Sequence, residues 1–111
     1  MRRNQAAQLA LGAAPVFAAL GDETRLALVS RLSTQGSLSI TELTSGTKVT
    51  RQAITKHLHV LADVGLVRGR RDGRENVWEL EPHALREARH YLDLISQQWD
   101  EAIERLKRWV E

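Results

Sequence analysis

Cysteine is missing from this 111-residue chain, which removes disulfides and thiolate metal sites and is compatible with a reducing compartment. Aromatic residues are sparse, three Trp with one Tyr and one Phe, so Leu, Val, Ile and Ala have to build the core. No stretch approaches the ~18 apolar residues that a membrane span needs. Met1-Arg2-Arg3 and the Ala-rich run to Leu20 faintly resemble a secretory signal. However, Gln5, Gln8, Gly12 and Pro15 interrupt that run, and Leu20-Gly21-Asp22 leads directly into a helix start. The expected setting is the cytoplasm. Also absent are a Gly-rich phosphate loop, a nucleophile elbow, a paired-carboxylate site and a zinc-binding motif, so neither catalysis nor a cofactor is expected. The length fits one domain with a modest core.

Charge is plentiful but unevenly placed. The formal net charge is +2, yet residues 1–47 carry a net +1, residues 48–74 a net +5 and residues 75–111 a net −4. The basic middle contains Lys48, Arg51, Lys56, Arg68, Arg70, Arg71 and Arg74 against Asp63 and Asp72. Such segregation suggests a local footprint for a polyanion. No Lys/Arg-rich amphipathic helix accompanies it, so an anionic membrane is a poorer match.

The segment Val49–Gly65 lies at the centre of that basic region. Ala53, Ile54, Leu58, Leu61 and Val64 recur at helical spacing and make one apolar stripe. Thr50 is placed to cap the first turn and Gly65 to close the last in the left-handed conformation. Arg51, Gln52, Thr55, Lys56 and His59 are left facing outward. This front of donors, acceptors and positive charge suits the major groove of DNA, although a merely solvated helix face has the same composition.

Upstream, residues 4–11 have good helix propensity, Gly12 is expected to break that segment, and Pro15 to open another turn or two. Asp22 sits at an N-cap position, and Leu26, Leu28, Val29 and Leu32 should bury one side of a helix ending near Gly36. Ser39-Ile-Thr-Glu42 has capping-box spacing, predicting a short helix from Ile40 to Ser45 that Gly46 ends. Two helices joined by this tight turn make a helix-turn-helix.

Downstream, Leu66–Arg70 and Asn76–Leu80 can pair as strands, with Asp72-Gly73 as the turn signal. This hairpin would carry Arg68, Arg70, Arg71 and Arg74 as a wing along phosphates or into the minor groove; the alternative is an exposed hairpin kept soluble by charge. Pro82 suits the first turn of a last helix. There Leu85, Ala88, Leu92, Ile95, Trp99, Ala102, Leu106 and Trp109 step by three and four, a heptad seam over nearly four heptads. A helix of ~42 Å exceeds what this domain needs for its own core. It is therefore expected to dimerise, with Leu9 joining the same interface; an intramolecular lid is the alternative.

The expected architecture is mainly α with a small β-hairpin wing, in the order α-α-α-α-β-β-α. Residues 1–81 would form a winged helix-turn-helix with its N-terminal helix, and 82–111 the dimerisation helix of the same compact domain.

With these parts in order, the chain resembles the ArsR/SmtB family of winged-helix bacterial repressors. The resemblance lies in Ala19–Leu32, Ile40–Leu43, Val49–Leu61 and Gly65–Arg74, and spans about Val16 to Leu80. It implies a homodimer that binds an inverted repeat in double-stranded DNA near a promoter and represses it. The family's recognition positions fall on Arg51, Gln52, Thr55, Lys56 and His59, flanked by Lys48 and Thr50, while His57 lies nearer the buried edge and is expected to be structural. The chain also departs from the family. Members that sense arsenic or cadmium have cysteines just after the Glu-Leu of the first motif helix; here Glu42-Leu43 is followed by Thr44, Ser45 and Gly46. Zinc-sensing members carry Asp-x-His and His-x-x-Glu pairs on the last helix. Here His83, Glu87 and His90 share a face without matching that pattern, and are more simply solvated. The chain thus looks like a metal-independent member, with an unidentified small-molecule or protein effector left open and the Trp99 region as one place for an apolar pocket. A reading from another class is a protein-interaction module that uses the Trp99/Trp109 seam.

Overall fold

The computed structural model describes residues 2–110, with the backbone alone for residues 2–7, 9 and 10. Its elements run α1 (Arg2–Leu20), α2 (Glu23–Gln35), β1 (Leu38–Ser39), α3 (Ile40–Thr44), α4 (Arg51–Asp63), β2 (Val67–Asp72), β3 (Glu75–Leu80) and α5 (Pro82–Val110). The helix and hairpin order matches the expectation; the two-residue strand β1 was not foreseen. It pairs antiparallel with β3, Leu38 opposite Trp78 and Ser39 opposite Val77, giving a three-stranded sheet in the order β1-β3-β2.

Local chemistry sets most of the boundaries. The Asp22 carboxylate accepts the Arg25 N–H at 3.0 Å and starts α2. Ser39 closes a full capping box: the Glu42 N–H donates to its hydroxyl at 3.1 Å, and its own N–H donates to the Glu42 carboxylate at 3.0 Å. Ser39 thereby ends a strand and starts a helix within one residue. Thr50 caps α4 by accepting the Ala53 N–H at 3.1 Å. At the other end of α4, Gly65 has φ +78°, its N–H donates to the Ala62 carbonyl, and the Leu66 N–H reaches back to Leu61 at 3.0 Å. That is the paired hydrogen bonding of a Schellman cap, with fully buried Leu61 and Leu66 supplying its apolar contact.

Two expectations fail at the N-terminus. Gly12 does not break the first helix and Pro15 does not open a second; α1 is continuous, with Pro15 inside it. A helical Gly costs about 1 kcal/mol and an interior Pro about 3. Tertiary packing offsets both, because Ala13, Val16 and Ala19 are buried and the Phe17 ring meets that of Tyr91 on α5 at 5.9 Å. Leu11 and Pro15 both face solvent, so water can reach the Leu11 carbonyl that lacks its helical donor. Leu26, expected inside, is exposed; Leu28 and Leu32 form the buried stripe of α2, and Leu26 lies about a third of a turn outside it.

The core collects Leu28 and Leu32 of α2, Leu43 of α3, Ile54, Leu58 and Leu61 of α4, Leu66, Val67, and Ala84 and Ala88 of α5. Each element that carries a functional surface therefore rests its back on one apolar centre. Arg31 adds a polar tie, donating to the carbonyls of Leu43 and Glu42 at 3.0 and 3.1 Å and so closing the end of α3 onto α2.

Candidate nucleic-acid interface

Helix α4 is divided cleanly. Ile54, Leu58 and Leu61 are buried, whereas Arg51, Gln52, Lys56 and His59 are exposed on the roughly opposite face, with Thr55 half-buried beside them. The Thr55 hydroxyl donates to the Arg51 carbonyl at 2.9 Å, so its remaining lone pairs are what it offers outward. Thr50 accepts its capping bond and keeps its hydroxyl proton for another acceptor; Lys48 is exposed in the turn before it. His57 faces inward as expected: its Nδ1 lies 3.3 Å from Arg25 Nη1, and Arg25 Nε donates to the Ala19 carbonyl at 2.6 Å. This network ties the end of α1 and the start of α2 to α4, and gives His57 a positioning role.

The sheet supplies the second wall. Its inner face carries Val67, Gly69 and Arg71 on β2 opposite Leu80, Trp78 and Asn76 on β3. The indole of Trp78 lies across Gly69 and meets the His59 ring edge-on, centroids 5.8 Å apart. A groove of about 500 Å³ results between α4 and the wing. Its lining includes Arg51, Thr55, His59, Arg70, Arg71 and Asn76. Three arginines and no carboxylate on these walls make a cleft suited to a polyanion.

The four wing arginines do not play one part. Arg68 and Arg70 stand on the outer face with Glu79, Arg68 directly opposite it and Arg70 diagonal to it. Arg68 Nε donates to Glu79 Oε1 at 2.9 Å and its Nη1 to Glu81 Oε2 at 3.1 Å; Arg70 Nε donates to Glu79 Oε2 at 3.1 Å. Among the described residues, Arg71 and Arg74 have no such partner. The turn also differs from expectation. It is centred on Gly73-Arg74, not Asp72-Gly73, with Asp72 paired to Glu75 and Gly73 at φ +62°. Glycine in the left-handed region at the first loop position followed by an ordinary residue at the second is what a type II′ hairpin uses.

Glu79 is the residue that sequence reasoning missed. Hydrogen bonds from Arg70, then Ser37 and Arg68, hold its carboxyl down to about 2 from an ordinary 4.5. Because the folded form binds its proton less readily, the stability this network contributes is complete above about pH 4.5 and lost as pH falls towards 2. Urea melts at pH 6 and pH 3 should therefore show a larger acid loss in the parent than in Glu79→Gln. An equal loss in both would mean that the carboxylate does not carry this pH dependence.

On α5, Leu85 is half-buried against the core and Ala88 is buried, so these two seam positions serve the chain's own packing; Ile95 is half-buried as well. Leu92, Trp99, Leu106 and Trp109 are 51, 68, 65 and 90% exposed, and Ala102 is exposed with them. The side chain of Leu9 lies outside the described residues. His83 Nε2 and Glu87 Oε1 approach to 3.3 Å as an i,i+4 pair, but among the described residues no three His, Asp or Glu side chains converge as metal ligands, and His90 does not complete a set.

A helix-turn-helix whose second helix has a polar front, flanked by a basic groove and an arginine-bearing hairpin, defines a winged helix-turn-helix DNA-binding protein. A family model described as a helix-turn-helix domain matches residues 20–70. The HTH-type transcriptional regulator YuzN of Bacillus subtilis, itself uncharacterised, is 44% identical over 68 residues, covering 56% of this chain and 74% of its own. An ArsR-like transcriptional regulator from Rhodococcus superposes with a TM-score of 0.76 at 35% identity, covering 91% of this chain and 94% of that one. The homodimeric winged helix-turn-helix DNA-binding domain of a possible ArsR-family regulator from Mycobacterium bovis superposes with a TM-score of 0.63 at 26% identity, over 89% and 88%. The chain belongs to the ArsR family of transcriptional regulators, and its function is DNA-binding control of transcription.

Proposed function

We propose that the protein is a homodimeric, metal-independent repressor that reads an inverted-repeat operator in the cytoplasm. The observation that carries this reading is the continuity of the exposed front of α4 with the carboxylate-free groove between α4 and the wing. Laid in a major groove, Arg51 or Lys56 can pair with guanine and Gln52 with adenine, while Arg71, Arg74, Lys48 and the Thr50 hydroxyl meet phosphates. Two such helices related by a two-fold axis would read half-sites about 34 Å apart, or a multiple of that. The apolar residues exposed along the distal half of α5 support dimerisation, as does the homodimeric relative. No helix among the described residues is long and apolar enough to cross a membrane.

The test is fluorescence anisotropy with the chain's own upstream DNA and a scrambled duplex, across a salt series, with and without zinc. Upstream binding at least ~10³ tighter, one dimer per site and unaffected by zinc, is expected. Release by zinc would return the His83–Glu87 pair to consideration as part of a metal site. Within that assay, Gln52→Ala should relax preference at one or two base pairs, each worth about 1–3 kcal/mol. Arg71→Ala with Arg74→Ala should instead weaken every sequence alike and make the salt dependence shallower. If both changes affected every operator variant equally, base reading and backbone holding would not be divided in this way.

The exposed Trp99 and Trp109 equally fit a different protein as partner, which is the interaction-module reading. A monomer in sedimentation that binds both duplexes weakly and alike would favour it.

A further inference from the structure

The outer face of the wing holds an ion-pair cluster that borders the groove. Arg68 stands directly across from Glu79 in the β2–β3 register, and Arg70 is diagonal to it, opposite Val77. One carboxylate receives the Nε–H of both guanidiniums, one on each oxygen, at 2.9 and 3.1 Å. The Ser37 hydroxyl, in the loop between α2 and β1, donates to Oε2 at 2.9 Å and anchors the carboxylate from a third side. Glu79 is only 19% exposed, whereas Arg68 and Arg70 are 59 and 44% exposed. The acid is thus held in place by the body of the domain, and the two arginines lie over it. Arg70 also lines the groove beside α4, so a single side chain borders both the carboxylate and the surface where phosphates are expected.

We propose that Glu79 is a specificity-determining residue that acts as a built-in competitor for DNA phosphate: it holds Arg70, and with it Arg68, in a cluster without excess positive charge and so keeps the wing's sequence-independent affinity low. The proposal rests on the DNA-binding reading above.

Arg68 and Arg70 face Glu79, Glu81 and Asp72, whose Oδ2 lies 4.0 Å from Arg70 Nη1, so DNA approaching this face meets no excess positive charge and releases no counterions for it. A phosphate must displace a carboxylate of the same charge that is already fixed by three hydrogen bonds, so the exchange gains little. Arg71 and Arg74 have no such competitor among the described residues, and their charge is fully available. The wing therefore has two free and two restrained arginines. Affinity that comes from phosphates alone favours the great excess of non-operator DNA, and restraining half of these arginines limits that competition.

Glu79→Gln tests this, because glutamine keeps the shape and an acceptor but removes the charge. It removes one negative charge per protomer from the arginine cluster. The slope of log affinity against log salt should steepen by about one per protomer, and scrambled DNA should bind about fivefold tighter per protomer at 0.15 M salt. Glu101→Gln, which removes a charge from the distal part of α5, should leave the slope unchanged. In an Arg68→Gln/Arg70→Gln background, Glu79→Gln should no longer produce tighter binding of the size seen in the parent. An unchanged slope in Glu79→Gln would overturn the proposal. So would weaker binding by a variant that melts cooperatively at neutral pH, since Glu79 would then be positioning the arginines on phosphates. The reading beneath it fails separately: if upstream and scrambled DNA bind alike while Glu79→Gln still steepens the slope on both, operator recognition is wrong and the competitor role stands.

Discussion

Replacing Trp99 and Leu106 together by aspartate is expected to turn the protein into a 12.5 kDa monomer at micromolar concentration and to weaken operator binding by about 10²–10⁴-fold. These side chains leave 68 and 65% of their surface in water in the single chain, together with Trp109 and Leu92 on the same helix. Burying one large apolar side chain contributes about 1.5–3 kcal/mol, so several pairs across a two-fold axis can hold two chains together. Four carboxylates brought into that interface would each be desolvated without a partner. The loss of DNA affinity follows because two linked recognition helices bind as one ligand, whereas a monomer engages each half-site separately. Neither residue supports the chain's own core, so far-UV circular dichroism and the melting transition should change little. Sedimentation equilibrium and anisotropy would check the result. A dimer that survives the double change would move the interface away from distal α5, and a monomeric parent would end the dimer reading itself.

Leu58→Ala should have the largest effect on stability, about 3 kcal/mol, with a fall in melting temperature of about 15 °C. Leu58 lies on the back of α4, is 0% exposed, and belongs to the cluster formed with Leu28, Leu32, Leu43, Ile54 and Leu61. Removing three carbons there leaves a cavity that helices capped at both ends and tied by Arg31 and Arg25 cannot readily close. A domain of this size has about 5–15 kcal/mol in all, so the loss is a large fraction. Val60→Ala on the same helix, at a position 39% exposed, should change stability by less than about 0.5 kcal/mol. Equal losses in the two variants would mean that burial at position 58 does not set the stability of α4, since alanine is the better helix former at both positions. DNA affinity measured well below the melting temperature should fall far less than stability, because Leu58 does not reach the polar front.

The recognition surface was legible because α4 is amphipathic: once Ile54, Leu58 and Leu61 are buried, geometry alone sends Arg51, Gln52, Lys56 and His59 outward. The caps were legible for a similar reason, since Asp22, Ser39 with Glu42, Thr50 and Gly65 act on backbone groups within a few residues. The wing was legible only in part. A turn on Asp72-Gly73 would set Arg68 across from Val77, whereas the observed turn one residue later sets it across from Glu79. A shift of one residue in the turn moves cross-strand partners by two, so inner and outer faces survive while every pairing changes. That is why four arginines looked equivalent in sequence, while the structure shows two of them paired with Glu79.

Sequence by itself determined helices α2 to α5, the hairpin, the polar front of α4 and the basic wing, because each depends on periodicity, capping or turn chemistry acting over a few residues. Only the tertiary structure decided that α1 runs unbroken through Gly12 and Pro15, because the compensating burial against α5 comes from the other end of the chain. It also decided that Leu85 and Ala88 serve the core while Trp99, Leu106 and Trp109 remain outside it, a division one heptad seam cannot express. Finally, it joined Ser37, Arg68, Arg70 and Glu79, residues up to 42 positions apart, into one ion-pair cluster. Charges so distant in sequence acquire partners only when strand register and a loop bring them within hydrogen-bonding reach.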